Sequence, residues 1–289
     1  MNVRSFTSSP GLKRIVFAAL SAIIGVTLFA GAGASASPAR SAAAVAAHHD
    51  NGPKPTIVLI HGAFADASGW GGAITRLEER GYTVLAPANP LRGVPTDSAY
   101  IASVLATISG PIVLVGHSYG GEVITNAATG NPNVKALVYI AAFAPDLGES
   151  AGGILAQFPG SMLTPPNLIL RPFPQPDGTT GTDAYINPAV FREAFCADCS
   201  AGTAAVMAAT QRPAAFATLI QPSGVPAWKT IPSWYLVANQ DHAIPPAAER
   251  FMAARMHAHT VQINSSHAAM VSHPGPVTDL ILNAARAVQ

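Results

Sequence analysis

The stretch Ile112-Val113-Leu114-Val115-Gly116-His117-Ser118-Tyr119-Gly120-Gly121 decides how this chain is read. An apolar, β-branched run ends at Val115, and Glu122 to Ala128 continue as a helical pattern. A strand, a Gly-x-Ser-x-Gly turn and a helix, in that order, form a nucleophile elbow. Glycines at 116 and 120 remove Cβ atoms where strand and helix crowd the turn. Ser118 is then free to sit on a tight, strained bend with its hydroxyl exposed. The helix that follows points its N-terminal N–H groups and positive dipole end toward that hydroxyl.

Working outward, Thr56 to Ile60 is a short apolar run bounded by Pro55 and His61-Gly62, as expected of a buried parallel strand. A helix is expected over 69–80, with Trp70, Ile74 and Leu77 on one face, stopped by Gly81. Further strands are expected over 82–86, 112–115, 134–141, 232–238 and 260–263. Thr96-Asp97 caps a helix carrying Tyr100, Val104, Leu105 and Ile108, and two more helices fall near 246–257 and 274–287. Alternation of strands with helices predicts an α/β fold: six mostly parallel core strands with helices on both faces. The core is assigned to 56–146 and 230–289. Residues 147–229 are too many for a plain connection and show no clean strand, so they are read as an inserted helical cap over the carboxyl ends of the strands. Phe158, Met162, Phe173, Phe191, Phe195 and Met207 are expected to form a small core of that cap, and some of them to line an apolar pocket.

The 289 residues begin with a segment that is not fold. Lys13 and Arg14 precede an uncharged run from Ile15 to Ala30, and Ala34-Ser35-Ala36 supplies a small-residue cleavage site. Residues 1–36 therefore read as a secretory signal peptide, and 37–55, rich in Ala, Ser and Pro, as a disordered leader. The expected location is outside the cytoplasm, with no stable membrane association after cleavage. Loss of the three basic residues in 1–36 takes the net charge from +1 to negative, and no basic patch survives, which argues against nucleic acid as a partner. Cys196 and Cys199 are the two cysteines, and in an exported chain an even count favours a disulfide. Two further metal ligands are not close to them, and neither metal nor cofactor is expected.

A serine nucleophile needs a base, and the base needs an orienting acid. In this architecture the order is serine, acid, histidine. Asp241 lies just past the strand ending at Ala238, and His267 follows the last strand. They are the expected acid and base, with Asp146 the rival acid. His242 should point away from Ser118. His273 should cap the last helix, His61 and His117 should be structural, and His257 and His259 should lie on the surface. The oxyanion donors expected are the N–H groups of Ala63, after Gly62, and Tyr119. Glu122 reads as a carboxylate favourably placed in the first turn of a helix.

With these pieces in place, the chain resembles the α/β-hydrolase superfamily. Within it, the resemblance is to plant methyl esterases and hydroxynitrile lyases and to bacterial pyrethroid-hydrolysing esterases. It is carried by Val58-Leu59-Ile60-His61-Gly62-Ala63-Phe64 with Trp70, by Gly116 to Gly121, by Asp241 and by His267-Ala268-Ala269-Met270. Hydroxynitrile lyases of that group have threonine at the position of Gly62 and lysine at that of Ala268, so ester hydrolysis is the chemistry implied. Haloalkane dehalogenases would carry aspartate in place of Ser118. Cofactor-free haloperoxidases share the triad, which leaves perhydrolysis as a side activity. The resemblance thus implies hydrolysis of a small-molecule ester without a cofactor. Amide or lactone hydrolysis, and a non-catalytic binding protein, are the alternatives. Oligomeric state is left open.

Overall fold

The computed structural model describes residues 52–289. The expected signal peptide, and the expected leader as far as residue 51, lie outside the described residues. Residues 52–55, also assigned to the leader, are tied down: Pro55 is buried, and Lys54 Nζ donates to the Arg80 carbonyl at 2.6 Å.

The chain runs β1 (Thr56–Ile60), α1 (Gly71–Glu78), β2 (Val84–Leu85), α2 (Val94–Leu105), β3 (Ile112–Ser118), α3 (Tyr119–Ala127) and β4 (Val134–Ala142). There follow α4 (Ala151–Gln157), β5 (Leu168–Pro174), β6 (Thr180–Ile186), α5 (Pro188–Phe195), α6 (Ala201–Thr210), β7 (Ala214–Ala215) and α7 (Ala217–Ile220). The chain closes with β8 (Ser233–Ala238), α8 (Pro246–Arg255), β9 (His259–Ile263), α9 (Ala269–Ser272) and α10 (Pro274–Ala287). A six-stranded sheet has the order β2-β1-β3-β4-β8-β9, with every pairing parallel.

Alternation along each strand divides the apolar residues between two cores. Val58, Ile60, Leu114, Leu137, Tyr235 and Val237 face one side, where Ile101, Leu105, Val123 and Met252 of α2, α3 and α8 cover them. Ile57, Leu59, Val113, Val115, Val138 and Leu236 face the other, under Leu77 of α1 and Val277 and Ile281 of α10. Both faces are buried, which is why these strands read as continuous apolar runs.

Three local expectations are corrected. β2 is shorter than 82–86 because the Tyr82 N–H turns back to the Leu77 carbonyl at 3.2 Å and closes the end of α1. α2 begins at Val94, ahead of Thr96-Asp97. Asp97 caps by reaching back, accepting from the N–H groups of Arg92 at 3.0 Å and Gly93 at 3.2 Å. Its buried face is Val94, Ile101 and Leu105, while Tyr100 is exposed.

The segment between β4 and β8 carries helices, as expected, but also a three-stranded antiparallel sheet, β5-β6-β7, where no strand was read. Pro172 and Pro174 hide β5, and Gly181 hides β6. Proline is tolerated because β5 lies at an edge, where one side of the strand needs no ladder donor. This segment has no separate core. Phe191 and Phe195 pack into the same cluster as one face of the large sheet.

Candidate active site

β3 delivers Ser118 at its carboxyl end, where the register against β4 shifts between His117 and Ser118. Ser118 has φ 54° and ψ −127°, a left-handed conformation that a serine holds only when its surroundings impose it. The crowding inferred from the sequence is present. A Cβ on Gly116 would lie 2.5 Å from the Gly120 carbonyl oxygen, and one on Gly120 would lie 2.4 Å from that of Ile60. A Cβ on Gly62 would meet the Ser118 Cβ at 2.6 Å, so the loop after β1 lies directly against Ser118. Ala63, Ser118 and Tyr119, the first and last being the expected oxyanion donors, line one cavity.

Asp241 and His267 come from the loops after β8 and β9. His267 Nδ1 lies 2.6 Å from Asp241 Oδ2, with both side chains fully buried. Asp241 Oδ1 accepts the N–H groups of Ala243 at 2.6 Å and Ile244 at 2.8 Å, which fixes the carboxylate plane. His267 Nε2 is buried and makes no hydrogen bond. The structure thus joins Asp241 to His267 and leaves the other imidazole nitrogen unpaired.

His117, the residue before Ser118, ties the strand end to His267. Its Nε2 lies 3.0 Å from the His267 carbonyl oxygen, and its ring stands 4.7 Å from the His267 ring. Burial holds His117 well below the usual imidazole range, so it is neutral and donates through Nε2. His61 accepts the Asn89 N–H on Nε2 at 2.9 Å, which leaves Nδ1–H for the Gly62 carbonyl at 2.9 Å and anchors the loop after β1. His242 is exposed and turned to the Glu193 carbonyl at 3.0 Å. His257 and His259 are exposed. His273 stands at the N-terminus of α10 but makes no capping bond; its Nδ1 is 2.9 Å from Ser272 Oγ. Asp146 pairs with Lys229 at 2.5 Å, a contact that holds its carboxyl below the usual range, and takes no part in the His267 geometry.

Glu122 departs from expectation. It is fully buried, and neither carboxyl oxygen has a partner. Burial pushes its carboxyl well above the usual range, so it is neutral, and the helix-dipole benefit of a charged first turn is lost to desolvation.

Sequence reading missed three contributors. Asp198, inside the Cys-x-x-Cys segment, accepts the Ser266 N–H at 3.0 Å and the Ser266 hydroxyl. The Ala268 N–H donates to the Phe195 carbonyl at 3.0 Å, so one cap turn grips the chain on both sides of His267. Glu249, wholly buried in α8, lies against Asp241. Asp198 and the Phe195 carbonyl work through contacts between distant segments, and Glu249 through the turn that joins β8 to α8. Cys196 and Cys199 have Cα atoms 5.3 Å apart, within disulfide reach. With Asp198 they bring ligand atoms within 4.8 Å of one another, but a metal there would have to take Asp198 from Ser266.

The cavity at Ser118 is small, about 60 Å³. Phe64, Tyr119 and Phe143 of the core and Leu155, Leu163, Leu168, Phe216 and Leu219 of the insertion line it, with no charged side chain. None of the six residues expected to form the cap core, some of them lining a pocket, reaches this cavity. A larger groove, about 450 Å³, runs between the loop after β1 and α6, and neither Ser118 nor His267 lines it. Of those six residues, Met207 alone lines that groove.

A profile of the alpha/beta hydrolase family matches residues 57–280, and the chain belongs to that family. It is 28% identical over 255 residues to an alpha/beta hydrolase of Aspergillus novofumigatus, covering 80% of this chain and 97% of that one. It is 34% identical to a carbendazim-hydrolysing esterase of a Nocardioides species, over 34% of this chain and 46% of the relative. Among solved structures, polyneuridine aldehyde esterase superposes with a TM-score of 0.69 at 21% identity, covering 80% of this chain and 99% of its own. A pyrethroid hydrolase superposes with a TM-score of 0.66 at 23% identity, covering 81% and 98%.

Proposed function

We propose that this hydrolase cleaves carboxylic esters of small to medium apolar acids through an acyl-enzyme on Ser118. The observation that carries the reading is the buried Asp241–His267 pair, 2.6 Å apart, whose imidazole, free at Nε2, stands 4.7 Å from the ring of His117, the neighbour of a serine in a strained left-handed conformation. Ser118 Oγ attacks the ester carbonyl while its proton passes to His267 Nε2. The N–H groups of Ala63 and Tyr119 hold the negative oxygen. The tetrahedral adduct collapses, the C–O bond to the alcohol breaks, and Nε2 returns the proton to that alcohol. Water then attacks the acyl group with the same nitrogen as base, which releases the acid and restores Ser118. Asp241 accepts from Nδ1 throughout, keeping Nε2 free for the serine proton.

The uncharged wall of the cavity favours apolar acyl groups, since burying an unpaired charge costs several kcal/mol. The esterase name of the partial Nocardioides relative agrees with this chemistry. Residues 1–36 have the pattern of an export signal, and in an exported protein Cys196 and Cys199 form a disulfide. Rapid mixing with a p-nitrophenyl ester tests the mechanism. A burst of one nitrophenolate per protein followed by slower turnover is expected, and turnover without a burst under conditions where deacylation limits would argue against an acyl-enzyme.

A further inference from the structure

A second carboxyl stands behind the proposed catalytic acid. Glu249 lies in the first turn of α8 and is wholly buried. Its Oε2 accepts the Ala238 N–H at 3.0 Å, at the carboxyl end of β8, and its carboxyl lies against that of Asp241. Two carboxylates can share a hydrogen bond only if one of them holds a proton. Asp241 has three other donors, the Ala243 and Ile244 N–H groups and His267 Nδ1, and each of them favours its ionised form. Glu249 has one, and its Oε1 is buried with no partner. The donor count gives the charge to Asp241 and the proton to Glu249.

The other charged or titratable groups near Glu249 do not alter that assignment. Arg250 is turned outward to Asn239 and Gln262. Tyr235 donates its hydroxyl to the Ala142 carbonyl, and burial keeps that phenol neutral. Burial and the neighbouring Asp241 also push the Glu249 carboxyl well above the usual range.

We propose that Glu249 is a positioning residue that stays protonated and donates its O–H to Asp241, so that His267 faces one fixed carboxylate rather than two repelling ones. The inference rests on the reading of Asp241 and His267 as acid and base. Glutamine can make the same two bonds, the amide N–H to Asp241 and the amide oxygen to the Ala238 N–H. Leucine can make neither.

The test compares Glu249→Gln and Glu249→Leu with the parent by the pH profile of kcat/KM. It also follows the low-field NMR resonance of the His267–Asp241 proton in ¹⁵N-histidine-labelled protein. Glu249→Gln should keep kcat within about threefold, with the acid limb and the resonance unmoved. Glu249→Leu should lose about tenfold in kcat, and its acid limb should rise by about half a pH unit, because an Asp241 with one donor fewer holds the protonated imidazole more tightly. A merely structural glutamate would lower Tm in the leucine variant and move neither limb nor resonance, which overturns the proposal. If Glu249→Leu does not fold, Glu249→Gln still decides. An acid limb that falls in that variant would mean an anion had been removed, and the proposal fails. The resonance needs no turnover, so a protein inert toward esters that still responds as described would refute the proposed function and leave the role of Glu249 standing.

Discussion

β3 and β5 are both seven residues long, yet every residue of β3 is buried and none of β5 is. β3 sits between two apolar layers and ends in Ser118. β5 is an edge strand of the inserted segment, and its single contribution to the cavity wall is Leu168. The contrast separates two tasks. The atoms proposed to make and break bonds hang from the part of the molecule with the most burial, where a displaced side chain is costly. The walls that meet the acyl group come largely from the part with less burial, where substitutions are tolerated more readily. The two parts meet at the turn 195–199, which holds the chain around His267 from the side of the insertion.

This division makes variants in the core expensive and variants in the insertion selective. Asp241→Asn should cost about 10³-fold or more in kcat with the fold intact, because the amide favours the wrong imidazole tautomer. Asp146→Asn, which breaks only a partly exposed pair with Lys229, should stay within about twofold of the parent. Steady-state kinetics of the two variants on one ester checks both values, and a reversal would move the acid to the loop after β4.

At the insertion, matched esters with and without a free carboxylate on the acyl group should differ by about 10²-fold in kcat/KM in favour of the uncharged one, since no cation lines the cavity. Leu155→Ala should raise kcat/KM for a larger acyl group severalfold relative to a small one by widening that wall. If the leucine variant lowers kcat equally for both acyl groups, the insertion acts on chemistry rather than on choice.

The smallest effect concerns stability. Glu122 keeps its proton in the folded state and loses it in the unfolded chain once the pH passes the usual carboxylate range. The folded state then binds more protons than the unfolded one, so this position favours folding least at high pH. Stability should fall by about 1.4 kcal/mol for each pH unit between the unfolded and folded values. Glu122→Gln should match the parent near pH ~4 and melt higher than it at neutral pH. Equal melting temperatures of parent and variant from acid to neutral pH would show that Glu122 is ionised in the folded protein.

These contrasts also explain what the sequence discloses. β1, β3, β4 and β8 are buried on both faces, so they stand out as unbroken apolar runs, and the Gly-x-Ser-x-Gly turn marks where a serine nucleophile is expected. Asp241 and His267 follow from chain order past strand ends. β5 and β6 are invisible because their faces are mixed, and because Pro172, Pro174 and Gly181 are residues that an edge strand tolerates and a central strand does not. The largest cap side chains read as a core of the cap with some members at the pocket, but Phe191 and Phe195 join the common core, and Leu155, Leu163 and Leu168 are among the residues that line the cavity. Asp198 acts through a contact between segments far apart in the chain, and Glu249 is one acidic residue of a helix whose inward turn no local pattern announces.

The central claim, that Ser118 is the nucleophile activated by His267, is tested most directly by intact-protein and peptide mass spectrometry after exposure to a fluorophosphonate. The account predicts one adduct per folded protein, on the peptide containing Ser118. It predicts no adduct in Ser118→Ala and labelling slowed by about 10³-fold or more in His267→Ala. A folded protein that takes no label, or takes it on a residue other than Ser118, would contradict it.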